Sequence, residues 1–220
     1  MRAMTDAVNR TTLVYLHGFR SSPQSTKASQ LVAAVGALPP AERPLLAVPA
    51  LSWRPAEAMA AIDALVAAHD PARITLVGSS LGGFYATVAA ERHGTRAMLI
   101  NPAVHPDEDL RAYAGVQVNL YTGEAFDVTD ALLDALRAMR VARITRPERY
   151  WLLAQSGDEV LDYRHAVALY GGAWQTVEGR GDHAFAGFER HIPAILRFAR
   201  DGFAFREAVS VSAAASGRRV

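Results

Sequence analysis

The chain predicts a doubly wound α/β fold, with a parallel six-stranded sheet and helices on both faces. Short apolar, β-branched runs alternate with longer runs of helical spacing along most of its length. Parallel strands need crossovers long enough to hold a helix, so this alternation implies a parallel sheet covered on both sides. A Gly-x-Ser-x-Gly pattern, Gly78-Ser79-Ser80-Leu81-Gly82, sits between a strand-like run and a helix-like one. Finally, 220 residues, 50% of them hydrophobic, suit one substantial domain with a buried core.

The first strand is expected over Leu13 to Leu16, ending at His17-Gly18. Ser22 followed by Pro23 reads as a helix start, with Pro tolerated in the first turn, and that helix should stop near Leu38, before Pro39-Pro40. Leu45 to Val48 is a second short strand. Ala56 to Ala68 carries Met59, Ile62, Leu65 and Val66 at helical spacing, and Asp70-Pro71 ends it. Ile74 to Val77 is the third strand, followed by a helix that closes at Gly94, a residue suited to a helix C-cap. Ala97 to Ile100, Trp151 to Ala154 and Trp174 to Val177 complete the six strands. Helices are expected at about Arg164 to Tyr170 and Ile192 to Arg200.

Residues 11–202 are thus expected to form a single domain. Within it, 102–147 is long for a connection and contains a helix-like run from Asp130 to Met139, so a cap over the site is expected there. Residues 1–10 and the Ala/Ser-rich 208–220 are expected to be flexible termini.

The pattern around Ser80 has a physical reading. The strand–turn–helix elbow is so tight that its central residue takes an unfavourable backbone conformation, and residues two before and two after must be small. Ser80 is the central residue and its hydroxyl should project from the top of the sheet, whereas Ser79 occupies the free position. A serine hydroxyl needs a histidine base and an acid that orients it. In this architecture the chain order is Ser, then acid, then His. Asp158, directly after the fifth strand, is the candidate acid, with Asp162 and Glu159 as alternatives. His183, in the loop Gly179 to Phe185 after the last strand, is the candidate base. The other histidines, at 69, 93, 105, 165 and 191, fall near helix ends or in the excursion and read as surface or capping residues.

An oxyanion needs two preorganised N–H donors. Leu81, at the start of the helix after the nucleophile, should supply one, and Phe19, in the loop after the first strand, the other. His17 reads as a structural hydrogen-bonding residue, since its place after strand one is wrong for the base. Phe19, Tyr113, Tyr121 and Phe185 are candidates to line an apolar substrate pocket. A serine at the elbow argues against dehalogenase chemistry, which needs a carboxylate there.

Net charge is +1 with 20% charged residues, which argues against a nucleic-acid or anionic-membrane partner. With no cysteine, disulfides, thiolate metal sites and cysteine nucleophiles are excluded. No His-x-x-x-His pair, dinucleotide fingerprint or phosphate-loop lysine occurs, so no metal or cofactor is implied. Neither an apolar stretch of membrane-spanning length nor the apolar core of a signal peptide is present, and a cytoplasmic location is expected.

Several blocks in fixed order resemble the YqiA-type small bacterial esterases of the α/β-hydrolase superfamily. They are Tyr15-Leu16-His17-Gly18-Phe19 with Ser21-Ser22-Pro23, Gly78 to Gly83, Asn101-Pro102-Ala103-Val104, Tyr121-Thr122-Gly123, Gly157 to Tyr163, and His183-Ala184-Phe185. The likeness spans about 13–200 and departs in the middle of the excursion and in the tail. It implies an α/β-hydrolase fold and a carboxylesterase or thioesterase with triad Ser80, Asp158 and His183, acting on a small ester or an acyl-CoA-like substrate. A non-catalytic hydrolase-fold binding module and an acyltransferase are the alternative readings.

Overall fold

The computed structural model describes residues 10–202. The expectations for 208–220 and for all of 1–10 but Arg10 lie outside the described residues. Six strands, β1 (Thr12–Leu16), β2 (Leu45–Ala47), β3 (Ile74–Ser79), β4 (Arg96–Ile100), and β7 (Tyr150–Gln155) with β8 (Trp174–Glu178), form one parallel sheet in the order β2-β1-β3-β4-β7-β8. All six coincide with the expected runs; five are longer by one or two residues, and β2 stops one residue short of the expected Val48. The order reverses between β1 and β3, which opens a crevice above their carboxyl ends, as expected.

Side chains alternate across the sheet with period two, and each half of the alternation has its own helical layer. Leu13, Tyr15, Val77, Met98, Ile100, Trp151 and Leu153 pack with α1 (Thr26–Ala37) and α7 (Ile192–Asp201). Leu16, Leu76, Leu99, Tyr150 and Leu152 face α2 (Pro55–Ala67), α3 (Leu81–His93) and α6 (Tyr163–Leu169) on the other side. Burial on both faces is why the central strands read as continuous apolar runs rather than as a polar alternation. Trp151 sets the packing at one edge: its ring stacks on Trp174 at 4.4 Å and meets Phe198 of α7 edge-on at 5.7 Å.

Helix α1 begins later than Ser22-Pro23 suggests. The Ser22 hydroxyl accepts the Gln24 N–H and the Ser22 carbonyl accepts the Ser25 N–H, at 3.1 Å each. These residues are therefore used in a turn, and the helix starts after Ser25.

The excursion holds α4 (Pro106–Asp109), a single 3₁₀ turn over 110–113, an antiparallel hairpin of β5 (Gly115–Val118) and β6 (Ala125–Val128), and α5 (Asp130–Ala138). Helix α5 matches the expected run, and Thr129 caps it by accepting the Leu132 N–H at 3.2 Å. Its apolar stripe, Leu132, Leu133 and Leu136, is buried in the α2–α3 side of the core. The hairpin was not expected. Phe126 and Val128 of β6 are buried while Asp127 between them is exposed, a period-two signal only four residues long. Phe126 then stacks on Trp53 and meets Phe19 edge-on, both at 5.6 Å, which fastens the hairpin beside the loop after β1. Asp107 of α4 is fully buried and ion-paired with Arg137 and Arg140, tying α4 to α5. Among the described residues, no helix is long and apolar enough to cross a membrane.

Candidate active site

Ser80 stands between β3 and α3 with φ 55° and ψ −121°, a left-handed conformation that costs a serine about 1–3 kcal/mol. Surrounding backbone over-determines it. The Ser80 N–H donates to the Ile100 carbonyl at 3.0 Å, and the Ser80 carbonyl accepts from Gly83, Phe84 and Ala103 at 2.8, 3.3 and 3.1 Å. The flanking glycines are needed for close approach: a Cβ on Gly78 would lie 2.3 Å from the Gly82 carbonyl oxygen, and one on Gly82 2.0 Å from that of Leu16. Gly82-Gly83 therefore serves helix–sheet packing. Ser79, by contrast, is buried within the sheet.

The structure brings Ser80, His183 and Asp158 into one hydrogen-bonded run. His183 Nε2 lies 3.1 Å from Ser80 Oγ, and Nδ1 lies 3.0 and 2.9 Å from Asp158 Oδ1 and Oδ2. A carboxylate only accepts, so the tautomer assigned by this geometry carries its proton on Nδ1 and leaves Nε2 free to accept from the serine. The Asp158 carboxylate is almost wholly buried, and its Oδ1 also accepts the Val160 and Leu161 N–H groups at 2.9 Å each. Both alternative acids are occupied elsewhere. Asp162 caps α6 through the Arg164 N–H, and Glu159 accepts the His183 backbone N–H at 2.9 Å.

Holding the His183 loop takes four side chains that the sequence did not single out for it, Glu159 among them. Asn101, buried at the end of β4 with φ 39°, donates through Nδ2 to the Asp182 carbonyl at 2.9 Å and to that of His183 at 3.3 Å. Its Oδ1 accepts the Gln155 N–H at 2.9 Å. Gln155 in turn accepts the Asp182 N–H at 3.1 Å and donates to the Ala186 carbonyl at 2.9 Å. Lys27 donates to the Ala184 carbonyl at 2.7 Å; burial depresses its pKa, opposed by the charges of Asp182 and Asp158. Glu159 was read only as an alternative acid, and the one sequence signal for the other three was Asn101-Pro102, which reads equally well as a plain turn.

His17 has the structural role expected of it. Its Nδ1–H donates to the Gly18 carbonyl and its Nε2 accepts the Leu51 N–H, both at 3.1 Å. Burial lowers its pKa, with the Gly18 bond opposing, so the neutral ring is favoured. This fixes the entry to the Gly18-Phe19 turn. Leu81 opens α3, where the first N–H groups of a helix have no intrahelical acceptor and carry the positive end of the dipole.

Two hollows meet at Ser80 and His183. One, of about 190 Å³, is walled by Phe19, Leu81, Leu110, Tyr113 and Leu161 and also bordered by Arg20 and Asp109. The other, of about 490 Å³, is more polar and includes Ser21, Lys27, Gln30 and Tyr121. Of the four aromatic candidates, Phe19 and Tyr113 pack together at 5.6 Å in the first hollow. Tyr121 lies exposed on the second. Phe185 borders that hollow too but is only 1% exposed; it joins the core beside α1 and α7 and meets His191 edge-on. Among the described residues, no group of three or more His, Asp or Glu side chains is gathered as metal ligands would be.

Known structures share this architecture. A protein of Agrobacterium vitis S4 named as a candidate hydrolase superposes with a TM-score of 0.65 at 23% identity, covering 86% of this chain and 88% of its own. Mouse alpha/beta hydrolase domain-containing protein 10 does so at 0.64 and 15% identity, covering 86% and 88%. Est1E from Butyrivibrio proteoclasticus, in a structure with ferulic acid bound, gives 0.62 and 15% identity over 88% and 90%. These likenesses establish the α/β-hydrolase fold. Residues 12–200 match the family described as "Uncharacterised protein family (UPF0227)". The chain belongs to this YqiA-like family, and its fold is that of the α/β hydrolases.

Proposed function

We propose that this chain is a serine hydrolase that cleaves carboxylesters or acyl thioesters through an acyl-enzyme intermediate. The observation that carries the reading is the unbroken run from Ser80 Oγ through both ring nitrogens of His183 to the buried Asp158 carboxylate. Membership of an α/β-hydrolase family supports hydrolase chemistry in general, and the ester class rests on the site.

Ser80 Oγ attacks the carbonyl carbon as His183 Nε2 takes its proton, and the carbonyl π pair moves onto oxygen. Phe19 and Leu81 N–H groups receive that oxyanion, where preorganised donors are worth about 2.7–4 kcal/mol each. Collapse expels the alcohol or thiol, which takes the proton from His183. Water then attacks the acyl-Ser80 carbonyl, again with His183 as base, and the carboxylic acid leaves. Asp158 holds the imidazole in the required tautomer and stabilises the transient imidazolium. The smaller hollow takes the acyl chain, and the 102–147 excursion acts as its cap by supplying Leu110 and Tyr113.

A fluorophosphonate probe tests this cheaply. Stoichiometric labelling of the wild type that disappears in Ser80→Ala is the expected result. Equal labelling of a folded Ser80→Ala protein, or none of the wild type, would overturn it.

A further inference from the structure

One side chain does not belong in the apolar hollow beside Ser80. Phe19, Leu81, Leu110, Tyr113 and Leu161 make a hydrocarbon wall, yet Asp109, the last residue of α4, lines it as well. Buried carboxylates are ordinarily paired or hydrogen-bonded. Its buried neighbour conforms, Asp107 being held by Arg137 and Arg140, and even the exposed Glu108 pairs with Arg140 at 2.7 Å. Asp109 is half-buried, and among the described residues its carboxylate accepts no hydrogen bond and forms no ion pair.

We infer that the hollow selects acyl chains that end in an ammonium group, which Asp109 receives as an ion pair. A neutral alkyl chain would dehydrate the carboxylate further and return nothing. An ammonium group supplies both the missing donor and the compensating charge, and charge-assisted hydrogen bonds are the strong ones. The rings of Phe19 and Tyr113 in the same wall favour a cation as well. Arg20, the cation bordering the hollow, donates its Nε–H to the Val118 carbonyl at 2.9 Å and is bonded to no carboxylate among the described residues.

Desolvation lifts the Asp109 pKa to about 6, with His165 opposing, Glu108 adding to the rise, Arg140 opposing and Asp107 adding. The carboxylate form is therefore dominant only above that pH. His165 of α6, whose ring centroid lies 5.2 Å from that of His105, is the imidazole whose charge opposes the rise.

The acyl part of this inference rests on the serine-hydrolase reading, whereas the ammonium site does not, so the test has two arms. At pH 8, kcat/KM is compared for p-nitrophenyl 6-aminohexanoate and p-nitrophenyl heptanoate, which are near-isosteric, in the wild type and in Asp109→Asn and Asp109→Ser. The wild type should favour the amine by at least about tenfold, and the ratio should fall to one or below in both variants. In parallel, binding of pentylammonium and of 1-pentanol is measured by calorimetry with no turnover involved. Pentylammonium should bind the wild type at least about tenfold more tightly than the alcohol at pH 8, and the advantage should shrink at pH 5 and in the variants. An amine ratio of one or below in the wild type, an amine preference that survives in either folded variant, or pentylammonium no tighter than 1-pentanol would overturn the inference. If neither ester is hydrolysed, the hydrolase reading fails while the binding arm still decides on Asp109.

Discussion

His17 uses both ring nitrogens on backbone, and this makes it a pH-sensitive element of the fold. Burial lowers its pKa in the folded chain, so between that value and the ordinary 6.5 the unfolded chain binds the extra proton. Its contribution to stability is complete above about pH 6.5 and is lost as pH falls below it. His105 is shifted the same way, and Asp109, whose pKa is raised to about 6, acts in the opposite sense, so the useful quantity is a difference between variants. Urea unfolding at pH 7.5 and 5.5 should show a smaller loss on acidification for His17→Ala than for the wild type. The variant should also lose about 1–3 kcal/mol at pH 7.5, because the Leu51 N–H is left without its acceptor. Equal losses on acidification would refute this account of His17. Asn101 makes a second residue-scale case. Asn101→Ala removes the donor that holds the Asp182 and His183 carbonyls, so His183 should lose its aim at Ser80. The expected result is a kcat lowered about 10- to 100-fold with KM nearly unchanged. A rise in KM alone would instead place Asn101 in substrate binding.

Among the elements, α3 carries the tightest constraint. It passes β1 at a distance set by Gly82, whose added Cβ would meet the Leu16 carbonyl oxygen at 2.0 Å, a backbone atom with no rotamer to escape into. Gly82→Ala should therefore cost at least about 3 kcal/mol in chemical denaturation, and less than 1 kcal/mol would mean that the helix can shift. The element scale also shows where the sequence was readable. Central strands were legible because burial on both faces leaves runs of apolar residues between turn signals, broken in β3 only by the buried Thr75, and α5 because its Leu132, Leu133 and Leu136 stripe repeats at helical spacing. The β5–β6 hairpin was not, since its strands are four residues each and Val116 and Val118 face outward. β5 carries no burial signal, that of β6 spans only four residues, and the pair depends on Phe126 of β6 reaching Trp53 and Phe19. The first helix was misjudged at its start because Ser-Pro suits a turn and a helix equally well, and only the Ser22–Gln24 bond decides.

For the whole molecule, the doubly wound sheet explains how distant parts of the chain meet. Ser80 follows β3, Asp158 follows β7 and His183 follows β8, and parallel strands deliver all three to one edge. Their chain order was legible for that reason. The supporting shell was not, because Asn101 reaches Asp182 across 81 residues and Lys27 reaches Ala184 across 157, contacts that no local pattern encodes. Asp109 escaped notice likewise: it reads as one acid in a run of three until it is found lining the hollow. The most direct measurement is the initial rate on p-nitrophenyl esters and acyl-CoA thioesters of increasing chain length, with Ser80→Ala in parallel. The account predicts turnover by the wild type and a loss on the order of 10⁴–10⁶-fold in the variant. A folded Ser80→Ala protein with near-normal rate, or a wild type inert toward the whole series, would contradict it.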